Sequence, residues 1–198
     1  MYKQKYILET DYLDPENLKL EIVERKGLGH PDTLADGLAN YISVKYSEFC
    51  IKKFGVVLHH NIDKLYVGAG VINKLFDNQK LVKPIQIVIN GRVSDEFSNK
   101  KIDINYKIYL WVKEYLKNIL PNINLNKEIE VTVNCNQAAE RGSVWYKPRN
   151  LDDLPEYSRL YANDTSVCVA HSPMTEAENL TYSLEQYFWD RSTGIPRH

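Results

Sequence analysis

The chain has 198 residues, 43% hydrophobic and 26% charged, with a net charge of −1. That is the balance of a globular protein with enough chain for one large domain or two small ones, and it sets up no general field toward nucleic acid or an anionic membrane. No apolar run approaches the ~20 residues of a membrane span, and three widely spaced cysteines, Cys50, Cys135 and Cys168, suggest neither a disulfide framework nor a zinc site.

A reducing cytoplasm is the compartment expected from that cysteine usage, and the first residues lack the apolar stretch of a secretory signal. In chain order, Tyr6-Ile7-Leu8 is a short apolar patch, and Asp14-Pro15-Glu16 suits a brief helix start. Leu18 to Val23 alternates apolar and polar residues and reads as a strand with one buried face. It runs into Glu24-Arg25-Lys26, then Gly27-Leu28-Gly29-His30-Pro31-Asp32. The two glycines suit a tight turn, and Pro31 suits the first turn of a helix. His30 and Asp32 would then lie at a helix N-terminus, where free N–H groups and the dipole favour an anion. An imidazole that donates to phosphate beside a carboxylate that holds a divalent cation points to phosphate and magnesium chemistry. The same residues also suit a plain loop-to-helix turn with a solvated histidine, and spacing alone leaves both readings open.

The spacing of Leu34, Leu38, Ile42 and Phe49 predicts a helix over 31–54 that ends at Gly55. Asp36 follows Asp32 by one helical turn, so the two carboxylates share a face. Val56-Val57-Leu58 reads as a strand leading to the polar cluster His59-His60-Asn61-Ile62-Asp63. Adjacent strand histidines face opposite ways, which disfavours a shared metal. One is expected at the site and the other packed or on the surface. Residues 71–83 read as a polar connection, Pro84 to Gly91 as a strand closing in an Asn-Gly turn, and 92–101 as a loop. A second helix is expected over 104–120, with Ile108, Trp111, Tyr115 and Ile119 as a core stripe, stopped by Pro121. Asn126–Asn134 alternates as a strand. Residues 135–160 form a long irregular stretch of lid-like composition. Val167–Ala170 reads as a strand, and Thr175 opens a last helix over 176–189 with Glu178 placed for a capping interaction. The element order indicates α+β architecture, with helices on one sheet face and the other face available for subunit association. Two subdomains with a break near 90–104 would also suit this order.

Three stretches, GLGHPDTLADGLA, LHHNIDKLYVGAG and YANDTSVCVAHSP, occur in this order. Together with the IQIVINGR strand and the helix after it, they resemble the N-terminal half of the archaeal-type S-adenosylmethionine synthetases (methionine adenosyltransferases). The resemblance runs from about Leu20 to Phe188. It implies that methionine sulfur attacks C5′ of ATP and that the displaced triphosphate is hydrolysed to phosphate and pyrophosphate. It also implies magnesium, with potassium as a further ion, and association into a homo-oligomer; the near-neutral charge balance separately predicts no nucleic-acid or membrane partner. On this resemblance His30 is the catalytic residue beside the triphosphate and Asp32 the metal carboxylate. Asp63 and Asp164 lie near the methionine ammonium, and Gln137 belongs to a substrate loop. Glu24 and Lys26 shape the pocket.

The chain departs from the family pattern in three places. NKLFDNQKLVKP stands for a glycine-rich run, DTSVCVAHSP carries Val167, Cys168 and His171 at glycine-rich positions, and the substrate loop reads NQAAERGS. Family members also carry a C-terminal half that supplies triphosphate-binding cations. Two readings follow. One is an enzyme portion that makes no product alone. The other is a diverged, non-catalytic binding or assembly partner of a second chain. A hydrolase acting on a triphosphate tail would need only the His30/Asp32 corner.

Overall fold

The computed structural model describes residues 17–73, 80–135, 143–154 and 172–193. They fall into two units, Lys26–Ser166 and a smaller one that joins Met1–Arg25 to Val167–His198. The architecture is α+β, as expected.

Helix α1 (Pro31–Phe54) carries its signals at both ends. His30 caps it, Pro31 opens it, Asp32 sits in its first turn, and Lys52 and Lys53 sit in its last, each complementing the helix dipole. Gly55 adopts φ 76°, and its N–H reaches the Ile51 carbonyl, a left-handed end that favours glycine. Leu34, Leu38, Ile42, Tyr46 and Cys50 are buried at every fourth position. The expected Phe49 is half-buried beside that row, edge-on to Phe54 at 6.2 Å.

Strand β1 (His60–Gly68) begins later than the sequence suggests. Val56 and Leu58 are buried without joining a ladder, and the polar cluster itself forms the strand. The 71–83 connection contains a two-stranded ribbon of β2 (Val71–Asn73) and β3 (Lys80–Lys83). Strand β4 (Ile85–Val93) continues through the expected Asn90-Gly91 turn, because it has partners on both sides. It runs antiparallel to β1 and parallel to β7 (Ile129–Cys135), in the order β1-β4-β7. The expected loop at 92–101 folds as a hairpin of β5 (Glu96–Phe97) and β6 (Lys100–Lys101). Its two turn residues, Ser98 and Asn99, both take positive φ, the two-residue geometry that matches strand twist.

Helix α2 (Ile104–Ile119) is capped by Asp103, whose side chain accepts from Tyr106 N, and crosses between the parallel neighbours β4 and β7. Its fully buried row is Ile104, Ile108, Val112 and Leu116. Trp111, Tyr115 and Ile119, expected in the core, flank that row half-buried. Ladder register sorts the sheet faces. Leu65 and Val67, Ile87 and Ile89, and Val131 and Val133 pair across one face and join the core with α1 and α2. Lys64, Tyr66, Gln86, Val88, Asn90, Glu130, Thr132 and Asn134 share the other. It is half-buried to exposed and mostly polar, so solvation rather than apolar exposure sets its character.

The β1–β4 ladder slips between Asn61 and Lys64. A Cβ on Gly91 would run into the Asn61 carbonyl oxygen and crowd Ile62 Cα at 3.1 Å, so the bulge requires glycine opposite it. After β7, the described chain resumes with α3 (Ser143–Tyr146) and a 3-10 turn at Leu151–Asp153. Arg149 grips Asp153 through Nε at 2.8 Å and a second guanidinium nitrogen at 2.9 Å, which pulls the Asp153 carboxyl down to about 2.

In the smaller unit, Leu18–Val23 has no regular secondary structure and belongs to no sheet among the described residues, which corrects the expected strand. Its polar partners are side chains: Thr175 Oγ1 donates to Glu21, and Arg25 lies 3.6 Å from Glu185. Helix α4 (Glu176–Thr193) opens as expected with a reciprocal cap. Thr175 N donates to Glu178 at 2.8 Å, and Glu178 N donates to Thr175 Oγ1 at 3.1 Å. The expected segments at Tyr6–Leu8, Asp14–Glu16 and Val167–Ala170 lie outside the described residues.

Candidate functional site

The Lys26–Asp32 corner is built by the start of α1. His30 N donates to the Gly27 carbonyl at 3.0 Å, closing the turn, and Leu34 N donates to the His30 carbonyl at 2.9 Å, opening the helix. His30 itself is extended (φ −67°, ψ 138°), and its Nδ1 accepts from Asp32 N at 3.1 Å. This is N-capping by an imidazole. It has a chemical consequence. A ring whose Nδ1 accepts must carry the neutral-form proton on Nε2, so the outer nitrogen is the donor. The ring is 42% exposed, available to an incoming anion.

Lys26 Nζ lies 2.5 Å from Asp32 Oδ2, and His30 Nδ1 lies 3.8 Å from the same oxygen. The Lys26 ammonium beside it, and more weakly His30, hold the Asp32 carboxyl below its usual range. Thr33 Oγ1 donates to the Lys26 carbonyl at 3.4 Å. Neither Gly27 nor Gly29 takes positive φ, and a Cβ on either would meet nothing closer than Leu120 Cδ2 at 3.9 Å. The turn therefore does not need their freedom, contrary to expectation. What they leave is open space over the corner.

Beside the corner lies an open cleft of ≈ 670 Å³, whose lining includes none of Gly27, Gly29 and His30. Lys26, Asp32 and Asp36 form its polar side, and Leu28, Ala35 and Tyr115 its apolar side. The two carboxylates thus share a cleft as well as a helix face. Gly37 leaves room for the end of the Tyr115 ring, since a Cβ there would run into its hydroxyl. Burial pushes the Tyr115 phenol up, and its ring lies 5.3 Å from Tyr41. Tyr115 reads from sequence as core alone. Its second role depends on α1 crossing α2, which no local pattern encodes.

Asp63 falls in the β1 bulge, 36% exposed, with Lys64 Nζ at 2.5 Å. It is not among the cleft's lining residues. Arg92, paired with Asn61 across the ladder, and Asp63 both bear on the Tyr146 phenol. Burial pushes that phenol up, Arg92 pulls it down, and Asp63 raises it. The histidine pair splits differently from expectation, since both rings are packed. His60 bonds Ser43 Oγ at 2.8 Å and the Leu58 carbonyl at 2.9 Å, edge-on to Tyr46. His59 lies against Tyr146 at 4.8 Å and Trp145 at 5.9 Å. Neither lines the cleft. Glu24 is exposed in the smaller unit. Gln137 and Asp164 lie outside the described residues.

The Lys26–Asp32 pair gives a direct check. Lys26→Ala should move the Asp32 carboxyl back up toward the ordinary carboxylate range, read by carbon-detected NMR titration. The sign follows from the lowering: ionised Asp32 favours the folded state above the unfolded-chain pKa, and that contribution is lost as pH falls through the lowered value. An unmoved Asp32 midpoint in Lys26→Ala would show that the ammonium does not hold it.

Comparison with known proteins gives the family. Residues 4–194 match the family model described as S-adenosylmethionine synthetase (AdoMet synthetase). An uncharacterized protein of Streptococcus pyogenes serotype M3 is 39% identical over 184 residues, covering 92% of this chain and 46% of its own length. The S-adenosylmethionine synthase of Methanosarcina barkeri is 37% identical over 183 residues, 91% of this chain and 44% of that one. That of Methanoregula boonei is 34% identical over 172 residues, 87% and 42%. The chain thus spans somewhat under half the length of these relatives. Matched along nearly its whole length, the chain belongs to the S-adenosylmethionine synthetase family.

Proposed function

We propose that this chain supplies one wall of a site that makes S-adenosylmethionine from ATP and L-methionine. Methionine sulfur forms the bond to ribose C5′ as the C5′–oxygen bond to the triphosphate breaks, and water then divides the triphosphate into phosphate and pyrophosphate. The observation that carries this reading is the cap at His30. With Nδ1 held by Asp32 N, the ring offers Nε2–H to charge growing on the leaving oxygens, at a helix end that already favours anions. Donors fixed before the reaction need no reorganisation during it.

Among the described residues no three His, Cys, Asp or Glu side chains gather as a metal cage. Magnesium rarely needs one, since it binds through one or two carboxylates with phosphate oxygens and water. Asp32, with Asp36 on the same cleft, fits an ion that arrives with a polyphosphate and neutralises its charge. Asp32 would hold such an ion, which would supply charge neutralisation, while Lys26, beside the same carboxylate, would bring a cation toward the phosphates. Asp63, Asp164 and Gln137 would serve methionine, and potassium would be a further ion. The polar outer sheet face suits homo-oligomeric association through hydrogen bonds, in a cytoplasmic protein. The facing cations of the pocket would come from the remaining polypeptide of the family.

Incubated alone with ATP, methionine, Mg²⁺ and K⁺, the chain should release neither S-adenosylmethionine nor phosphate. Both should appear when the remaining polypeptide is supplied. S-adenosylmethionine from the chain alone would overturn the one-wall reading, and phosphate without S-adenosylmethionine would replace it with a hydrolase.

A further inference from the structure

The bulge in the β1–β4 ladder carries charged groups that the Lys26–Asp32 corner does not use. Bulges re-aim side chains and are common beside active sites. Here the slip falls between Asn61 and Lys64, so Asp63 lies inside it, and Arg92 stands across the ladder from Asn61. A third group arrives from further along the chain. The α3 turn and the residues after it are tied down at three points. Ser94 Oγ reaches the His59 carbonyl at 2.8 Å and the Trp145 carbonyl at 3.3 Å. Ser98 N donates to the Pro148 carbonyl at 3.0 Å, and the His59 ring lies 4.8 Å from that of Tyr146. Tyr146 is consequently 5% exposed. Both charges of the bulge bear on its hydroxyl, Arg92 by charge and hydrogen bond and Asp63 by charge.

The two charges do not neutralise each other. Asp63 pairs instead with its neighbour Lys64, whose side chain is 69% exposed, and surface pairs of this kind hold little. Arg92 is exposed and, among the described residues, makes no ion pair. A carboxylate and a guanidinium held near one phenol without pairing match the two ends of an α-amino acid, whose ammonium and carboxylate sit on one carbon. The guanidinium fork fits a carboxylate through two parallel hydrogen bonds. The Tyr146 oxygen, by accepting from Arg92, limits the swing of that fork toward Asp63. We propose that Arg92 reads the α-carboxylate of the substrate beside Asp63 at its ammonium, and that Tyr146 is a positioning residue that keeps the guanidinium from closing on Asp63. The proposal rests on Asp63 serving methionine.

The test is NMR on the full chain, following the Arg92 side-chain N–H and the Asp63 carboxyl carbon as ligands are added up to their solubility limits. L-Methionine should shift both signals. Methioninamide, which keeps the ammonium and lacks the carboxylate charge, should shift Asp63 alone. The deaminated acid, which keeps the carboxylate and lacks the ammonium, should shift Arg92 alone. Methionine should bind at least ~10-fold tighter than methioninamide, the effect of one hydrogen bond to a charged group, because a site built for a polar group rejects the analogue without it. Arg92→Gln, at an exposed position, should fold unaltered and abolish that preference. Tyr146→Phe keeps the ring and its packing. It should lower the preference about 3-fold with methioninamide affinity unchanged, whereas a merely structural loss would weaken both ligands alike. Methionine that moves Asp63 and not Arg92, or an undiminished preference in Arg92→Gln, would overturn the assignment of Arg92 and leave the role of Asp63 standing. Methionine that moves Arg92 alone, or neither signal, would overturn the role of Asp63 and the proposal with it. An undiminished preference in Tyr146→Phe would overturn the positioning role.

Discussion

Tyr46→Ala should lower the unfolding free energy by about 3–5 kcal/mol, the range for removing a large aromatic side chain from a closed core. Tyr46 is fully buried in the α1 row, between Ile42 and Cys50. Its hydroxyl donates to the Ser94 carbonyl at 2.6 Å, and its ring meets His60 at 4.8 Å. Burial pushes its phenol far above the usual range, so the group stays neutral at any ordinary pH. Alanine would empty the volume, strip the Ser94 carbonyl of its donor and release the His60 ring that begins β1. Tyr46→Phe separates these effects. It keeps the packing and loses one buried hydrogen bond, for about 1–3 kcal/mol. Urea unfolding followed by circular dichroism reads both. A Tyr46→Ala cost below that of Tyr46→Phe would show that packing at this point is not what holds α1 to the sheet.

His30→Ala is the second large effect, on rate rather than folding. In an assembly that makes S-adenosylmethionine, losing a donor aimed at developing oxyanion charge should lower kcat by about 10²–10³-fold. The methionine KM should change little, because the lost interaction strengthens only as the triphosphate leaves. The cap complicates the comparison, since alanine there also costs the helix about 0.5–2 kcal/mol. His30→Asn addresses this: asparagine is a strong N-cap and can still accept from Asp32 N, yet it carries no imidazole. Steady-state kinetics on both variants should show the same loss of kcat, with only His30→Ala less stable. A change confined to the methionine KM would place His30 at the amino acid and not at the phosphates.

The sequence was most informative where one residue type acts locally. Pro31, Asp32, the Leu34–Leu38–Ile42 row and Gly55 mark α1 within the chain itself, and Thr175 with Glu178 marks the start of α4. It was least informative where a partner decides. Leu18–Val23 has the alternation of a strand, but alternation states a preference for two faces and supplies no neighbour to pair with. Asn90-Gly91 looks like a hairpin turn. It becomes mid-strand because β1 bulges around the missing Cβ while β7 pairs on the far side, two events encoded far away along the chain, at Asn61 and at Cys135. At the site, His30, Lys26, Asp32 and Asp36 were legible as a corner because they lie within one loop and two helical turns. Tyr115 was not, since the α1–α2 crossing that brings it to the cleft rests on packing along both helices. The histidine pair shows the same limit in reverse: His59 and His60 look like chemistry, and their neighbours make them packing groups.

The central position of β4 carries a kinetic consequence. Both of its edges are taken, by β1 before it and by β7 after it, and the pairing of Ile85 with Ile129 closes across the whole of α2. Helix α2 can form locally and early, but the sheet cannot close until β7 arrives, and joining parallel neighbours over an intervening helix is slower than zipping a hairpin. Until then the Ile85 edge of β4 lacks its partner. The rate-limiting step of refolding should therefore be the docking of β7, so truncating a side chain such as Val131 should slow folding, while changes in the β5–β6 hairpin should act on unfolding.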